Sequence, residues 1–262
     1  MRKRRLLIAA LVAGILGAGV GVTVLAAPAV AVTVCPACYG LHNLGGNVWA
    51  ETDDPHYRTM IDGARARLDY FYGDRTANPR ILICATDTCY RHIGGGGEKG
   101  KALGEFSLML SPAGATETIA THELSHAELH HLLGASANSV PDWFDEGLAV
   151  LVSQDPRYLA PVGTPERCLM PYELALPVVD ADWFSSTQHG NDLPYRQAAC
   201  VVSRWARGHG NGTGVADLAS RLAQGSKFGE VVNPQPTVSP SASPSPIPPP
   251  LPSPPPSPVP SR

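Results

Sequence analysis

An α+β fold, mainly helical with one small sheet, is predicted by three observations. Apolar residues recur at helical spacing over 53–72, 115–133 and 193–207. Two short runs rich in strand-forming residues, 80–84 and 105–110, stand apart from them, and the second runs straight into a helix. Both chain ends are compositionally biased, which leaves 35–232 as one domain long enough for a real core.

In chain order, Arg2-Lys3-Arg4-Arg5 precedes an apolar Gly/Ala-rich run from Leu6 to Leu25. Ala29-Val30-Ala31 then supplies the small residues that a signal peptidase reads, which favours a cleaved signal peptide over 1–31. The same run is long enough to be an uncleaved membrane anchor, the alternative reading. Either way the domain is expected outside the cytoplasm, secreted or held at the envelope. Asp53-Asp54-Pro55 opens a helix to Tyr72, with Tyr57, Ile61, Ala64, Leu68 and Phe71 on one face. Arg80-Ile81-Leu82-Ile83-Cys84 reads as a buried strand. Gly94 to Gly97 form a loop that lacks the strand-to-helix setting and the Lys-Ser/Thr end of a phosphate loop. Glu105 to Leu110 reads as a strand. Ala115 to Leu133 is a helix free of proline and glycine, stopped by Gly134. Pro141-Asp142 starts the next, and helices follow over 193–207 and 215–222. From 233 to 262 the chain is Pro/Ser-rich; Pro248-Pro249-Pro250 and Pro254-Pro255-Pro256 favour a disordered polyproline spacer that builds no core. This tail is a candidate for contact with the cell envelope.

The chain carries 20 Lys and Arg against 23 Asp and Glu. Five of the basic residues, Arg2, Lys3, Arg4, Arg5 and Arg262, lie at the ends, so the domain carries a net charge of about −8, which disfavours nucleic acid and anionic membrane as partners. The even set of six cysteines in an exported chain points to disulfides. Cys35–Cys38, Cys84–Cys89 and Cys168–Cys200 form the simplest connectivity. A zinc-ribbon or redox role for Cys35-Pro36-Ala37-Cys38 lacks a second matching pair and a thioredoxin-type setting.

The chemistry concentrates in His122-Glu123-Leu124-Ser125-His126 and in Trp143-Phe144-Asp145-Glu146-Gly147. On a helix, His122 and His126 share a face one turn apart and can converge on one metal ion, with Glu123 beside them. The third ligand is sought among the nearby acids. Glu128 points off the ligand face, Asp142 serves the first turn of its helix, and Asp145, the neighbour of Glu146, faces a different direction. Glu146 borders the apolar run Leu148 to Val152, where a carboxylate is costly unless paired or metal-bound, so Glu146 is chosen. Three protein ligands with an open position describe a catalytic rather than a closed zinc site, holding one zinc ion. His130 continues the His122–His126 face by another turn, which would allow it to support a ligand or bind a second metal; a surface or packing role is favoured, because one ion already has its ligands. Trp143 and Phe144 are read as core anchors.

These two blocks together resemble the gluzincin metallopeptidases, closest to small bacterial peptidase MA-like domains; the resemblance spans roughly 80–210. Leu129 and Leu132 stand where a metzincin needs Gly and His, which excludes that subclass. The resemblance implies a zincin-like domain over 35–232 that hydrolyses peptide or protein substrates, with His122, His126 and Glu146 on zinc and Glu123 as base. It implies that the strand before the motif helix is the sheet's edge, along which a peptide lies. It also implies a downstream oxyanion donor, for which Tyr195 is the leading candidate and His189 and Tyr158 the runners-up. Two further readings remain: a non-catalytic zinc-binding envelope protein, and a zinc hydrolase of a cell-wall amide. Cys35 to Thr52 is short for an inhibitory pro-segment.

Overall fold

The structure is a computed structural model, which describes residues 28–164, 167–171, 187 and 191–232. The segment 1–27, the tail 233–262 and His189 lie outside the described residues. The described part is α+β, with eight α-helices and a five-stranded mixed sheet.

The chain opens with α1 (Pro28–Val34), which takes in the last four residues of the segment assigned to the leader and buries Val32 completely. A 3-10 turn, β1 (His42–Gly45) and β2 (Val48–Ala50) follow. Cys35 to Thr52 is therefore part of the fold. Next come α2 (Pro55–Tyr72), β3 (Arg80–Ile83), α3 (Asp87–His92), β4 (Gly100–Leu103) and β5 (Ser107–Leu110). The helical half comprises α4 (Glu117–Leu133), α5 (Asp142–Ser153), α6 (Leu193–Gly208), α7 (Gly212–Ala223) and α8 (Phe228–Val231). No helix among the described residues is long and apolar enough to cross a membrane.

The local starts follow sequence rules. Asp54 caps α2 by accepting from His56 N at 2.8 Å, with Pro55 in the first turn. Thr116 caps α4 by accepting from Ile119 N at 3.3 Å, and Gly134 ends it at φ +51°, a backbone that favours glycine. Tyr57, Ile61, Ala64 and Leu68 are buried on one face of α2, as their spacing predicts.

The strand order is β1-β2-β3-β5-β4, with β2, β3 and β5 parallel and both outer strands antiparallel to their neighbours. Side chains alternate across it. Ile81, Ile83, Leu108 and Leu110 join the main core with α2, α4, α5 and α6, while Leu82 and Met109 pack beneath Val32, Tyr90 and Ile93 of the opposite layer. Both faces being covered, β5 is buried at every position.

This order corrects one expectation. The strand immediately before the motif helix is β5, and it is internal; the edge is β4, which pairs antiparallel with β5 on its outer side. The predicted strand also starts at Ser107, because Phe106 belongs to the tight β4–β5 turn, where its N–H donates to Leu103 O. Such a turn is local chemistry that alternation cannot detect. All three expected disulfides are present: Cys35–Cys38, Cys84–Cys89 and Cys168–Cys200.

Candidate metal centre

Helix α4 runs through the middle of the molecule and is buried on most of its circumference. Each polar side chain it carries inward therefore needs a partner. Thr121 donates to Glu117 O at 2.7 Å, and Ser125 meets the Tyr72 hydroxyl at 3.4 Å. Glu128, 1% exposed, accepts from Thr76 N, Thr76 Oγ1 and Ala77 N, all at 2.8 Å. It points off the ligand face, as expected.

His122, His126 and Glu146 do come together: one ligand atom from each lies within 4.8 Å of the other two. His122 Nε2 is 3.2 Å from Glu146 Oε2, and His126 Nε2 is 3.8 Å from the same oxygen. Glu123, 7% exposed, lines the same cleft beside Gly100 and Ala102 of β4. Trp143 and Phe144 anchor α5 by edge-on contact with each other, with Phe228 and, for Phe144, with Trp205. Gly147 lets α5 lie against α6, since a Cβ there would stand 2.7 Å from Ala198 O. These contacts hold Glu146 over the two histidines.

Asp145 and His130 differ from expectation. Asp145 faces a different direction from Glu146, yet it still joins the cluster: its Oδ1 lies 2.6 Å from His126 Nδ1 and its Oδ2 lies 2.9 Å from His130 Nε2. The reason is that α5 approaches α4 with its first turn, so adjacent residues straddle one imidazole. Asp145 takes the Nδ1 side and Glu146 the Nε2 side. His130 is accordingly a partner of Asp145 rather than a packing residue. The His122-His126-His130 periodicity carried that signal. His131 instead pairs with Glu105 at the surface.

The electrostatics follow from three carboxylates, Glu123, Asp145 and Glu146, set against three imidazoles, His122, His126 and His130. Burial alone would depress His126, but Asp145, Glu146 and Glu123 outweigh it and push it up to about 10. Burial would raise Asp145 and Glu146, yet His126 with His130 holds Asp145 well below the usual range, and His122 with His126 holds Glu146 below it. Glu123 is raised by burial and by Glu146, against the pull of both histidines. The cleft thus favours a cation at its centre. A cation that takes the place of the imidazolium proton would meet a neutral His126, which gives its Nδ1–H to Asp145 and leaves its Nε2 lone pair for the metal. The donor set fits zinc. A second grouping among the described residues, Glu51 with Cys84 and Cys89, does not, because the two sulfurs are bonded to each other.

Tyr195 lines this cleft from α6 and stacks on Tyr158 at 5.0 Å. Burial, then Glu146, Tyr158 and Glu123, push its hydroxyl above its ordinary value, so it stays protonated. Tyr158 also lines the cleft, but its hydroxyl donates to Asp192 Oδ1 at 3.4 Å. The edge strand β4 forms the opposite wall. A Cβ at Gly100 would stand 2.7 Å from Glu123 Oε1, so glycine is what lets this strand approach the carboxylate.

No family model matches the chain, and neither the curated proteins nor the solved structures contain a match to it.

Proposed function

We propose that this protein is an exported zinc metallopeptidase of the gluzincin type, hydrolysing peptide bonds. The observation that carries the reading is the convergence of His122, His126 and Glu146 within 4.8 Å, in a cleft that Glu123 also lines. A purely structural site has no use for that fourth group. Export rests on the basic and apolar N-terminal segment and on three disulfides.

His122, His126 and Glu146 would hold one zinc ion, which when bound polarises a carbonyl and acidifies water. Glu123 takes the proton of the attacking water and returns it to the leaving amine. Burial that raises its proton affinity suits it to both transfers. Asp145 keeps His126 in the tautomer that ligates. Tyr195, protonated and facing the cleft, donates to the developing oxyanion. Strand β4 pairs with β5 through Lys99 and its alternate residues, since Ser111 N donates to Lys99 O. Gly100 and Ala102 therefore turn their backbone groups toward the cleft, where an extended peptide would add as a further strand.

The test is to expose the zinc-loaded protein to a mixed peptide library read by mass spectrometry, beside Glu123→Gln and Tyr195→Phe variants. Cleavage by the parent, none by Glu123→Gln with zinc retained, and reduced turnover at unchanged zinc affinity for Tyr195→Phe are expected. Zinc binding with no cleavage by any of them would sink the peptidase reading and favour a wall amide or a non-catalytic role.

A further inference from the structure

A second cavity lies at the end of the sheet where β2 and β3 begin. We propose that it binds a small hydroxylated anion, a sugar acid or a sugar phosphate. It is an open cavity of about 580 Å3 and shares no residue with the metal cleft. The proposal is therefore independent of what that cleft does.

The lining is rich in donors: the guanidiniums of Arg65 and Arg75 and the carboxamides of Asn43, Asn47 and Asn78, with no carboxylate. A third guanidinium stands close by. A Cβ on Gly46 would lie 3.4 Å from Arg58 Nη1 and 3.5 Å from Arg65 Nη1, so the two cations face each other across the β1–β2 turn. They are pinned there by backbone oxygens, Arg58 Nη1 donating to Leu44 O at 2.8 Å and Arg65 Nη2 to Gly46 O at 2.7 Å.

The acids nearby meet this charge only in part: among the described residues Arg75 is paired, Arg65 is paired weakly, and Arg58 is not paired. Asp69 is engaged by Arg75, and Glu128 beneath the floor is engaged by Thr76 and Ala77. Asp62 reaches Arg65 at 3.7 Å with its own side chain 60% exposed, a geometry in which ion pairs are weak. Arg58 has no acidic partner among the described residues. Burial, Arg75 and Arg58 together lower the proton affinity of Arg65 despite Asp62 and Asp69.

The site is also built in advance. Glu128 fixes Thr76 and Ala77, and Asn47 Nδ2 donates to Asn78 O at 3.2 Å. Gly45 N donates to Asn43 Oδ1 at 2.6 Å, which fixes that side chain in the lining. At Gly45, with φ +89°, a Cβ would press within 2.9 Å of Arg58 Nη1, so glycine preserves the guanidinium's position. Guanidiniums recognise carboxylate or phosphate through paired hydrogen bonds, and carboxamides both donate to and accept from hydroxyls. The volume falls in the range of small-molecule sites, and a bare inorganic ion would leave most of it to water.

The purified protein is titrated by calorimetry with glucose 6-phosphate, glucuronate, glucose and inorganic phosphate. Saturable binding of one or both anionic sugars, with none of glucose, is expected; which of the two binds identifies the oxyanion. Arg65→Met and, separately, Arg58→Met should each weaken that binding about tenfold or more, with circular dichroism melts confirming a folded chain. Failure of both anionic sugars to bind, or glucose binding as well as they do, overturns the proposal. So does phosphate binding as tightly as its sugar ester, or binding that survives both substitutions.

Discussion

Asp145 sits between two imidazoles, and its role is set by which atoms it reaches. Its Oδ1 holds His126 Nδ1 at 2.6 Å while Glu146, one residue on, approaches Nε2 of the same ring. Removing the charge by Asp145→Asn should loosen both the tautomer and the ring orientation. Zinc affinity, measured by chelator competition, is expected to fall about 10–100-fold; an unchanged affinity would remove the orienting role. Asp155 provides a residue-scale pH dependence. It is 2% exposed, and although burial alone would raise it, hydrogen bonds from Arg157 hold its carboxyl below the ordinary value. A depressed folded value means that its stabilisation is present above its unfolded value of about 4. That contribution disappears as pH falls through the lower folded value. The stability gap between the parent and Asp155→Asn should therefore be open at pH 7 and close on acidification below about 4, as read from urea midpoints.

Elements position these residues by close approach. Helix α5 lies so near α6 that a Cβ on Gly147 would meet Ala198 O at 2.7 Å and Val202 Cγ2 at 2.8 Å. Gly147→Ala must push the helices apart. It is expected to cost about 1–3 kcal/mol by chemical denaturation, and to weaken zinc binding too, because Glu146 moves with α5. Stability without loss of metal affinity would show that Glu146 is held by something other than this contact. The same scale explains which elements were legible beforehand. α2 and α4 have caps and long apolar periods, and both were readable. β1, β2 and β4 are three or four residues long and partly exposed, so they offer no periodicity to detect. The edge could not be assigned either, because it depends on β4 folding back antiparallel outside β5.

Across the whole molecule, the Cys168–Cys200 bridge joins the loop beyond Tyr158 to α6, the helix that carries Tyr195. It closes a separation of 32 residues. Such a loop loses enough unfolded-state entropy for the bridge to stabilise the fold by about 3–4 kcal/mol. A Cys168→Ala, Cys200→Ala double variant should melt at a lower temperature than the parent under non-reducing conditions. Equal melting temperatures would mean that the bridge constrains nothing that packing does not already fix.

By itself, the sequence determined what local spacing can encode. Two histidines four apart on one helix must share a face; Asp53-Asp54-Pro55 opens a helix; an even set of six cysteines points to disulfides, with local pairing as the simplest connectivity. It also singled out Glu146, because a carboxylate beside a buried apolar run needs a partner. Tertiary structure alone decided that Asp145 bridges His126 and His130, and that β4 rather than β5 forms the cleft wall. It also decided that Arg58, Arg65 and Arg75 gather around one cavity. Each of these depends on how two elements meet, and the angle at which α5 reaches α4, or at which the β1–β2 turn reaches α2, is set by the packing of the whole core rather than by any stretch of neighbouring residues.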